Sequence, residues 1–408
     1  MKNGLIPVSE ARERLLSDTA PLPTQTVPLE EAAGRILAAD LAARRTQPPQ
    51  PISAMDGYAV RAADIATAPA ELRLVGQAAA GHPFNGTVGP GETARIFTGA
   101  VVPDGADTIL IQEDATVGEN GAVTANVSER QGRYVRPAGL DFETGQTVLT
   151  TGAQLDAGAL CLAAAANHPQ LPVIRRPLVA ILATGDELLP PGAAPGPGQI
   201  IASNGYGVAA LARESGADIL DLGIARDTAA DLEAALDKAR AAPADILVTL
   251  GGASVGDHDL VQQVFVDNGM ALDFWRIAMR PGKPLMLGRL GDMRILGLPG
   301  NPVSSLVCGH LFLKPLTEAL AGRPNSACWI EARLDNALPE NDKREDYLRA
   351  RAYRDKSGAL RVKTFSRQDS SMIRVFSQSN VLVRRPPFAP AAAAETLVKA
   401  LALNSTPI

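Results

Sequence analysis

Cysteine is scarce in this chain: Cys161, Cys308 and Cys328 are the only three among 408 residues. They are far apart, odd in number and set in apolar contexts, which excludes a disulfide framework and any Cys/His zinc spacing. Buried thiols of a reducing compartment are expected. No apolar run approaches the roughly 20 residues that span a bilayer, and the opening Met-Lys-Asn-Gly-Leu-Ile-Pro lacks the apolar core of a signal peptide. An excess of positive charge is missing too. The net charge is −5, so non-specific binding to nucleic acid or acidic membranes is not expected. Both common nucleotide signatures are absent. There is no Gly-x-x-x-x-Gly-Lys-Ser/Thr, and Gly196-Pro-Gly198 lacks a third glycine and follows no strand directly. On these grounds a cytoplasmic protein is expected, with neither nucleic acid nor membrane as partner.

What the chain does have is glycine (37), proline (31) and a hydrophobic fraction of 46%. That composition suits a turn-rich globular protein rather than a disordered one. A single core stops growing at roughly 250–300 residues, so several domains are expected.

The start, 7–18, reads as a helix with Ser9 as candidate cap, and a second helix opens at Pro28 and ends near Arg44. Thr46-Gln-Pro-Pro-Gln-Pro51 breaks the pattern. Residues 70–135 lack helical period and read as short strands between glycines, whereas Leu155 to Asn167 resumes a helix. From Pro177 strands alternate with helices, at 178, 219, 245 and 272, with extra edge strands at 285 and 294. This implies a mostly parallel sheet covered on both faces. The tail from Ala327 reads as strands at 328–335, 347–354, 359–364 and 380–385, and the Ala-rich end, 389–408, as a final helix or frayed segment. The expected architecture is therefore multidomain α/β and β. A discontinuous helical domain (1–45 and 140–175) flanks a β-rich inserted domain (46–139). A central three-layer α/β domain (176–326) and a small C-terminal β-barrel (327–408) follow.

The stretch richest in chemistry runs from Ala244 to Pro315. The apolar run 245–250 is long enough for one strand buried on both faces. It stops at Gly251-Gly252, and Ala253-Ser-Val-Gly256 continues the turn into Asp257 or Asp259, either of which can cap the next helix. Strand, glycine loop and helix N-terminus point backbone N–H groups at an anion. Strand 272–279 then leads into Arg280-Pro-Gly-Lys-Pro284. Alternation sets Arg276 opposite Trp275, and three cations, Arg276, Arg280 and Lys283, gather near one strand end. Pro299, Gly300 and Pro302 fix a second rigid loop before a helix over Ser304 to Leu320. Two Gly-rich loops and a cationic turn at strand ends suggest a pocket for a phosphorylated ligand. Glu187, Asp227 and Asp259 fall just after strand ends on the same side of the sheet. Each alone is a capping candidate, but together they form like charges that a divalent cation relieves, and Mg²⁺ favours such hard oxygen ligands with phosphate. His258, between two acids, is expected to turn outward.

Leu250-Gly-Gly-Ala-Ser-Val-Gly-Asp-His-Asp259, Arg280-Pro-Gly-Lys-Pro284 and Gly297-Leu-Pro-Gly-Asn-Pro-Val-Ser304 resemble the signatures of the molybdopterin molybdenumtransferase family, which includes the E domain of gephyrin. Ser53-Ala-Met-Asp-Gly-Tyr-Ala59, Phe97-Thr-Gly-Ala100, Arg136-Pro-Ala-Gly-Leu-Asp141, Ala183-Thr-Gly-Asp-Glu-Leu188 and Gln368-Asp-Ser-Ser-Met-Ile373 extend the resemblance over most of the chain. The resemblance implies an enzyme that takes adenylylated molybdopterin and molybdate, releases AMP and leaves molybdenum on the dithiolene. It implies a homodimer in which the motif around Asp56 faces the partner's α/β cleft. Asp56, Thr98, Glu187, Asp227 and Asp259 are then the catalytic set, the last three holding Mg²⁺. Gly251, Gly252, Ser254, Gly256, Arg276, Arg280, Lys283, Pro299, Asn301 and Ser304 are the substrate-binding set.

The chain departs from the common pattern at three positions. It has Leu250 where members commonly carry Ser, and Arg276 and Arg280 where many carry Lys. Arginine keeps the charge but offers a planar fork rather than a point charge. Two other readings stand beside the first: a molybdopterin adenylyltransferase, and a non-enzymatic scaffold of the gephyrin type.

Overall fold

The computed structural model describes residues 5–251 and 260–403. The chain forms two compact units, one of residues 1–25, 34–36 and 173–408, the other of 26–33 and 37–172.

The first unit is built on a six-stranded sheet. Its order is Asp218–Ala225, Leu178–Thr184, Ile246–Leu250, Met293–Leu298, Pro284–Leu290, Ala271–Arg276. The first four strands run parallel, Pro284–Leu290 runs antiparallel to them, and Ala271–Arg276 runs antiparallel to Pro284–Leu290 in turn. The central apolar runs are buried on both faces, and alternation divides them. Val179 and Ile181 point into one core with Val208, Ala212, Val303, Val307 and Leu316. Ala180 and Leu182 point into the other, with Leu232, Leu236, Val264 and Phe265. Helices thus cover both sides, giving three layers.

Three sequence expectations change here. Neither of the strands at 285 and 294 is an edge strand. Met293–Leu298 lies inside the sheet beside Ile246–Leu250, and Ala271–Arg276 is the edge. The reason is a tight hairpin: Leu290 pairs with Met293 across Gly291-Asp292, so the two runs fold back on each other and the second takes the parallel slot. The helix read over Ser304–Leu320 holds α-geometry over Pro302–Cys308 and Lys314–Leu320, with a wider π turn, Gly309–Leu313, between them. Pro315 sits just after that turn, and a proline, lacking an N–H and crowding the preceding turn, favours such widening. Asp227 is not the cap of the next helix. Thr228 is, its Oγ1 accepting from the Asp231 N–H at 3.2 Å.

The same unit carries a closed five-stranded barrel. Glu345–Arg354, Leu360–Thr364, Trp329–Leu334, Leu397–Ala402 and Val381–Arg385 follow in order, and the last pairs back to the first. Over its described residues, 389–403, the Ala-rich end is therefore not a helix but closes the barrel with the strand Leu397–Ala402. Val398 and Ala400 turn inward against Ala332, Val362 and Val383, because closing the ring satisfies strand edges that would otherwise be open. Met279–Arg280 adds itself beside Glu345–Asp346 and ties barrel to sheet. The first helix, Val8–Leu16, has Pro7 rather than Ser9 at its N-cap and buries Val8, Ala11 and Leu15 in the α/β core. The thiols differ from expectation: Cys308 is buried, but Cys161 and Cys328 are exposed.

The second unit holds a six-stranded sheet ordered Thr108–Ile111, Gly57–Val60, Glu92–Ile96, Ala70–Ala78, Val123–Ala125, Ala115–Val117. It also holds the helix Ala157–Ala165, capped by Asp156. The helix expected from Pro28 to Arg44 is absent. A single 3₁₀ turn, Leu29–Glu31, is followed by Gly34 at φ +71° and the short strand Leu41–Ala42. That left-handed glycine ends the turn before a helix can propagate.

Candidate functional site

The cleft at the carboxyl ends of the parallel strands is a cavity of about 930 Å³. The ends of Leu178–Thr184 and Ile246–Leu250 lie side by side, Ala183 opposite Leu250, and each runs straight into a glycine. Gly251 has φ +102°, and a Cβ there would come within 2.6 Å of the Thr184 carbonyl oxygen. Only glycine lets the two strand ends close up while the chain turns toward the cavity. Gly185 (φ +147°) does the same on the neighbouring strand, where a side chain would meet the Glu187 carboxylate.

Around this floor the cavity gathers Glu187, Asp227, Gly251, Pro299 and Asn301, all named from the sequence, together with Ser203, Asn204 and Leu250. Asn204, at the start of the helix Asn204–Glu214, donates from Nδ2 to the Gly300 carbonyl at 2.6 Å and so pins the Pro299-Gly-Asn301 loop. Ser305 Oγ closes the same loop onto the Pro299 carbonyl. Ser304 is buried beneath it rather than facing the cavity's lining. Asn301 donates to Ser370 Oγ at 2.9 Å, and Ser371 and Ile373 complete the wall. The barrel thereby contributes a side of the cleft.

The carboxylates carry the electrostatic signature. The Asp227 carboxyl is held above its ordinary range, first by burial, then by the negative charges of Asp186 and Glu187. Its own N–H donates to Asp186 Oδ1 at 3.2 Å. Asp186 was not singled out from the sequence; its place beside Glu187 in Thr184-Gly-Asp-Glu was the available signal. Among the described residues no three His, Cys, Asp or Glu side chains form a ready metal cage. Like charges crowded at two neighbouring strand ends nonetheless fit a divalent cation, whose binding relieves their repulsion. Gly252, Ser254, Gly256, Asp257, His258 and Asp259 lie outside the described residues.

The three cations part company. Arg276 stands in register with Pro284, which lines the cavity, and Lys283 is its half-buried neighbour. Between Arg280 and Lys283, Gly282 (φ +107°) passes so close to Cys308 that a Cβ would sit 2.5 Å from the sulfur. Arg280, by contrast, is engaged with the barrel: it pairs with Asp346, with Asp342 at 3.2 Å, and donates to Asn341 at 3.3 Å. Those partners come from the strand Glu345–Arg354 and the loop just before it, too far along the chain for the sequence to have announced them.

The second unit brings two other residues together. Thr98 donates to Asp56 Oδ1 twice, from its N–H at 2.7 Å and its hydroxyl at 2.8 Å. These bonds, aided by the charge of Arg95, hold the Asp56 carboxyl below its usual range. Gly57 opens the strand Gly57–Val60, pressed against the Leu110 carbonyl with no room for a side chain, and this fixes where Asp56 emerges.

Comparison with known proteins matches three consecutive regions: the MoeA N-terminal region (domain I and II) over residues 6–167, a probable molybdopterin binding domain over 180–319, and the MoeA C-terminal region (domain IV) over 331–403. The molybdopterin molybdenumtransferase of Haemophilus influenzae is 34% identical over 93% of this chain and 94% of its own length. That of Bacillus subtilis is 33% identical over 94% and 91%. A molybdopterin biosynthesis MoeA protein from Pyrococcus horikosii, of known structure, superposes with a TM-score of 0.82 at 29% identity, covering 99% of this chain and 100% of that one.

Proposed function

Since the chain belongs to the MoeA family of molybdopterin molybdenumtransferases, we propose that the strand-end cleft is where it performs that family's reaction on adenylylated molybdopterin and molybdate, releasing AMP. It is an enzyme of molybdenum cofactor biosynthesis, and it inserts molybdenum into molybdopterin. The observation that supports the site most is the convergence of Glu187, Asp227, Gly251, Pro299 and Asn301 on one cavity of ligand size. The relatives that span the chain from end to end carry the transferase name, which favours it over the adenylyltransferase and scaffold readings.

In this proposal Glu187 and Asp227, with Asp259, hold Mg²⁺, whose chemistry is to neutralise charge developing on the pyrophosphate as it is cleaved. Lys283 and Arg276 attract the anionic reactants to the mouth beside Pro284. The loop Pro299-Gly-Asn301, pinned by Asn204, gives a rigid wall against which the ligand is oriented. Asp56, kept ionised by Thr98, accepts hydrogen bonds or a proton from the reacting groups.

The active site is proposed to be shared in a cytoplasmic homodimer, Asp56 and Thr98 of one chain working with Glu187, Asp227 and Asp259 of its partner. The test mixes two variants, Asp56→Asn and Asp259→Asn, each expected to be inactive. After subunit exchange, mixed dimers should recover up to one competent site each, read as AMP released from adenylylated molybdopterin on addition of molybdate. No recovery, with exchange confirmed, refutes the shared site. No AMP from the unaltered protein refutes the reaction.

A further inference from the structure

One cation of the second unit is held in a way that no structural need explains. Arg95 lies on the strand Glu92–Ile96, paired across the sheet with Tyr58 of Gly57–Val60. Its guanidinium sits 4.9 Å from the centre of the Tyr58 ring and 5.1 Å from that of Phe97. Among the described residues its single hydrogen-bond partner is Gln112, whose Oε1 it meets at 2.6 Å. A guanidinium has five N–H donors, so most of them are left over. The side chain is half-buried, and no carboxylate of the described residues neutralises it within ion-pair distance. Asp56 is near enough for Arg95 to depress its carboxyl, yet Asp56 Oδ1 is bonded to Thr98 instead.

Aromatic faces stabilise a desolvated cation without consuming its in-plane donors. Stacking therefore fixes the guanidinium's position and leaves its edge available, in the planar geometry that suits an oxyanion. Register places Tyr58 and Arg95 side by side on one face of the sheet, with Asp56 just before the first strand and Phe97 just after the second. The face thus offers an acceptor and a cationic fork side by side.

We propose that Arg95 is an anion-binding residue of the Asp56–Thr98 site, its free edge holding a tetrahedral oxyanion of the reaction. The proposal rests on the reading of Asp56 as part of the active site. Two reactants present that chemistry: the phosphate groups of the adenylylated pterin, and molybdate. Arg95 draws the anion to the side of Asp56 from which the carboxylate alone would repel it. A side chain that merely braced the sheet would have no such effect.

The test uses the full chain with Arg95→Gln and Arg95→Lys. AMP release is measured against molybdate at saturating pterin substrate, and against pterin substrate at saturating molybdate. Losing a charge-assisted contact is expected to raise one of the two KM values by about tenfold or more in Arg95→Gln. Arg95→Lys should retain part of the effect, and thermal midpoints should stay close to that of the unaltered protein. Which KM rises tells whether the anion is molybdate or substrate phosphate. Titration of the free proteins with molybdate and with inorganic phosphate gives a second readout that needs no turnover. Weaker binding of either probe in Arg95→Gln supports the proposal even if the unaltered protein releases no AMP, an outcome that would fault the reaction rather than this residue. Unchanged KM values and unchanged titrations in Arg95→Gln overturn the proposal. So does a matched loss of thermal stability in both variants with kinetics intact, which marks the stack as structural.

Discussion

Replacing Asp227 with asparagine removes one charge from the crowded trio of Asp186, Glu187 and Asp227 while keeping the side chain's size. A carboxyl whose folded pKa lies above its unfolded value near 3.8 contributes stability that is fully present below that value and lost as pH rises through the folded one. Asp227 is such a group, so at pH 7, without a cation, its ionised form opposes folding. The residue is only partly desolvated and remains largely exposed, so solvent screens it and the penalty is that of a surface pair, at most about 1 kcal/mol. For a domain of this size that is worth roughly 2–4 °C. In EDTA at pH 7, Asp227→Asn should therefore melt slightly above the unaltered protein, and the advantage should vanish toward pH 4. With Mg²⁺ the order reverses. A ligand at a hundred times its Kd stabilises by about 2.7 kcal/mol, and the variant forfeits most of this along with its activity. Melting curves followed by circular dichroism, with EDTA and with Mg²⁺ across pH 4–8, decide the matter. A variant less stable than the parent in EDTA, or one that gains as much from Mg²⁺, would refute both the charge argument and the metal assignment.

Thr98→Val keeps the shape and the backbone donor but deletes the hydroxyl that binds Asp56 Oδ1. The Asp56 pKa should rise toward its ordinary range, moving the acid limb of kcat/KM to higher pH; an unmoved limb means Asp56 does not titrate in the reaction. Gly251→Ala places a Cβ 2.6 Å from the Thr184 oxygen at φ +102°. It should cost about 1–3 kcal/mol, seen as a lower urea midpoint together with lost AMP release, and a wild-type midpoint would show that the loop relaxes freely.

Much of the cleft was legible because it is local. The runs Leu178–Leu182 and Ile246–Leu250 are too apolar for anything but strands buried on both faces, and both halt at glycines whose positive φ the close strand ends demand. What stayed hidden depends on partners distant in sequence. Arg280 looked like a free cation until Asp342 and Asp346 arrived from the barrel. The end around Val398 looked helical because alanine favours helices, yet strand pairing on both sides outweighs that preference. The Pro28–Arg44 stretch misled for the opposite reason, since Gly34 at φ +71° cancels a helix that its Leu-Glu-Glu-Ala-Ala would otherwise start. Asp227 was taken for a cap, and the neighbouring Thr228 fills that role, which leaves the Asp227 carboxylate to the cavity.

Ser371 and Ile373, on the segment that Asn301 and Val303 hold through Ser370, make the barrel one wall of the cleft. A wall contributed by a separate folding element turns occupancy into a mechanical linkage. Any ligand touching both sides adds its binding energy to the seam between sheet and barrel, and any loosening of the seam subtracts the same amount from affinity. Substitutions at the seam, far from the carboxylates, are then a route by which affinity drifts among homologues while the chemistry stays fixed. The Arg280 fastening to Asp346 is the place to look for it.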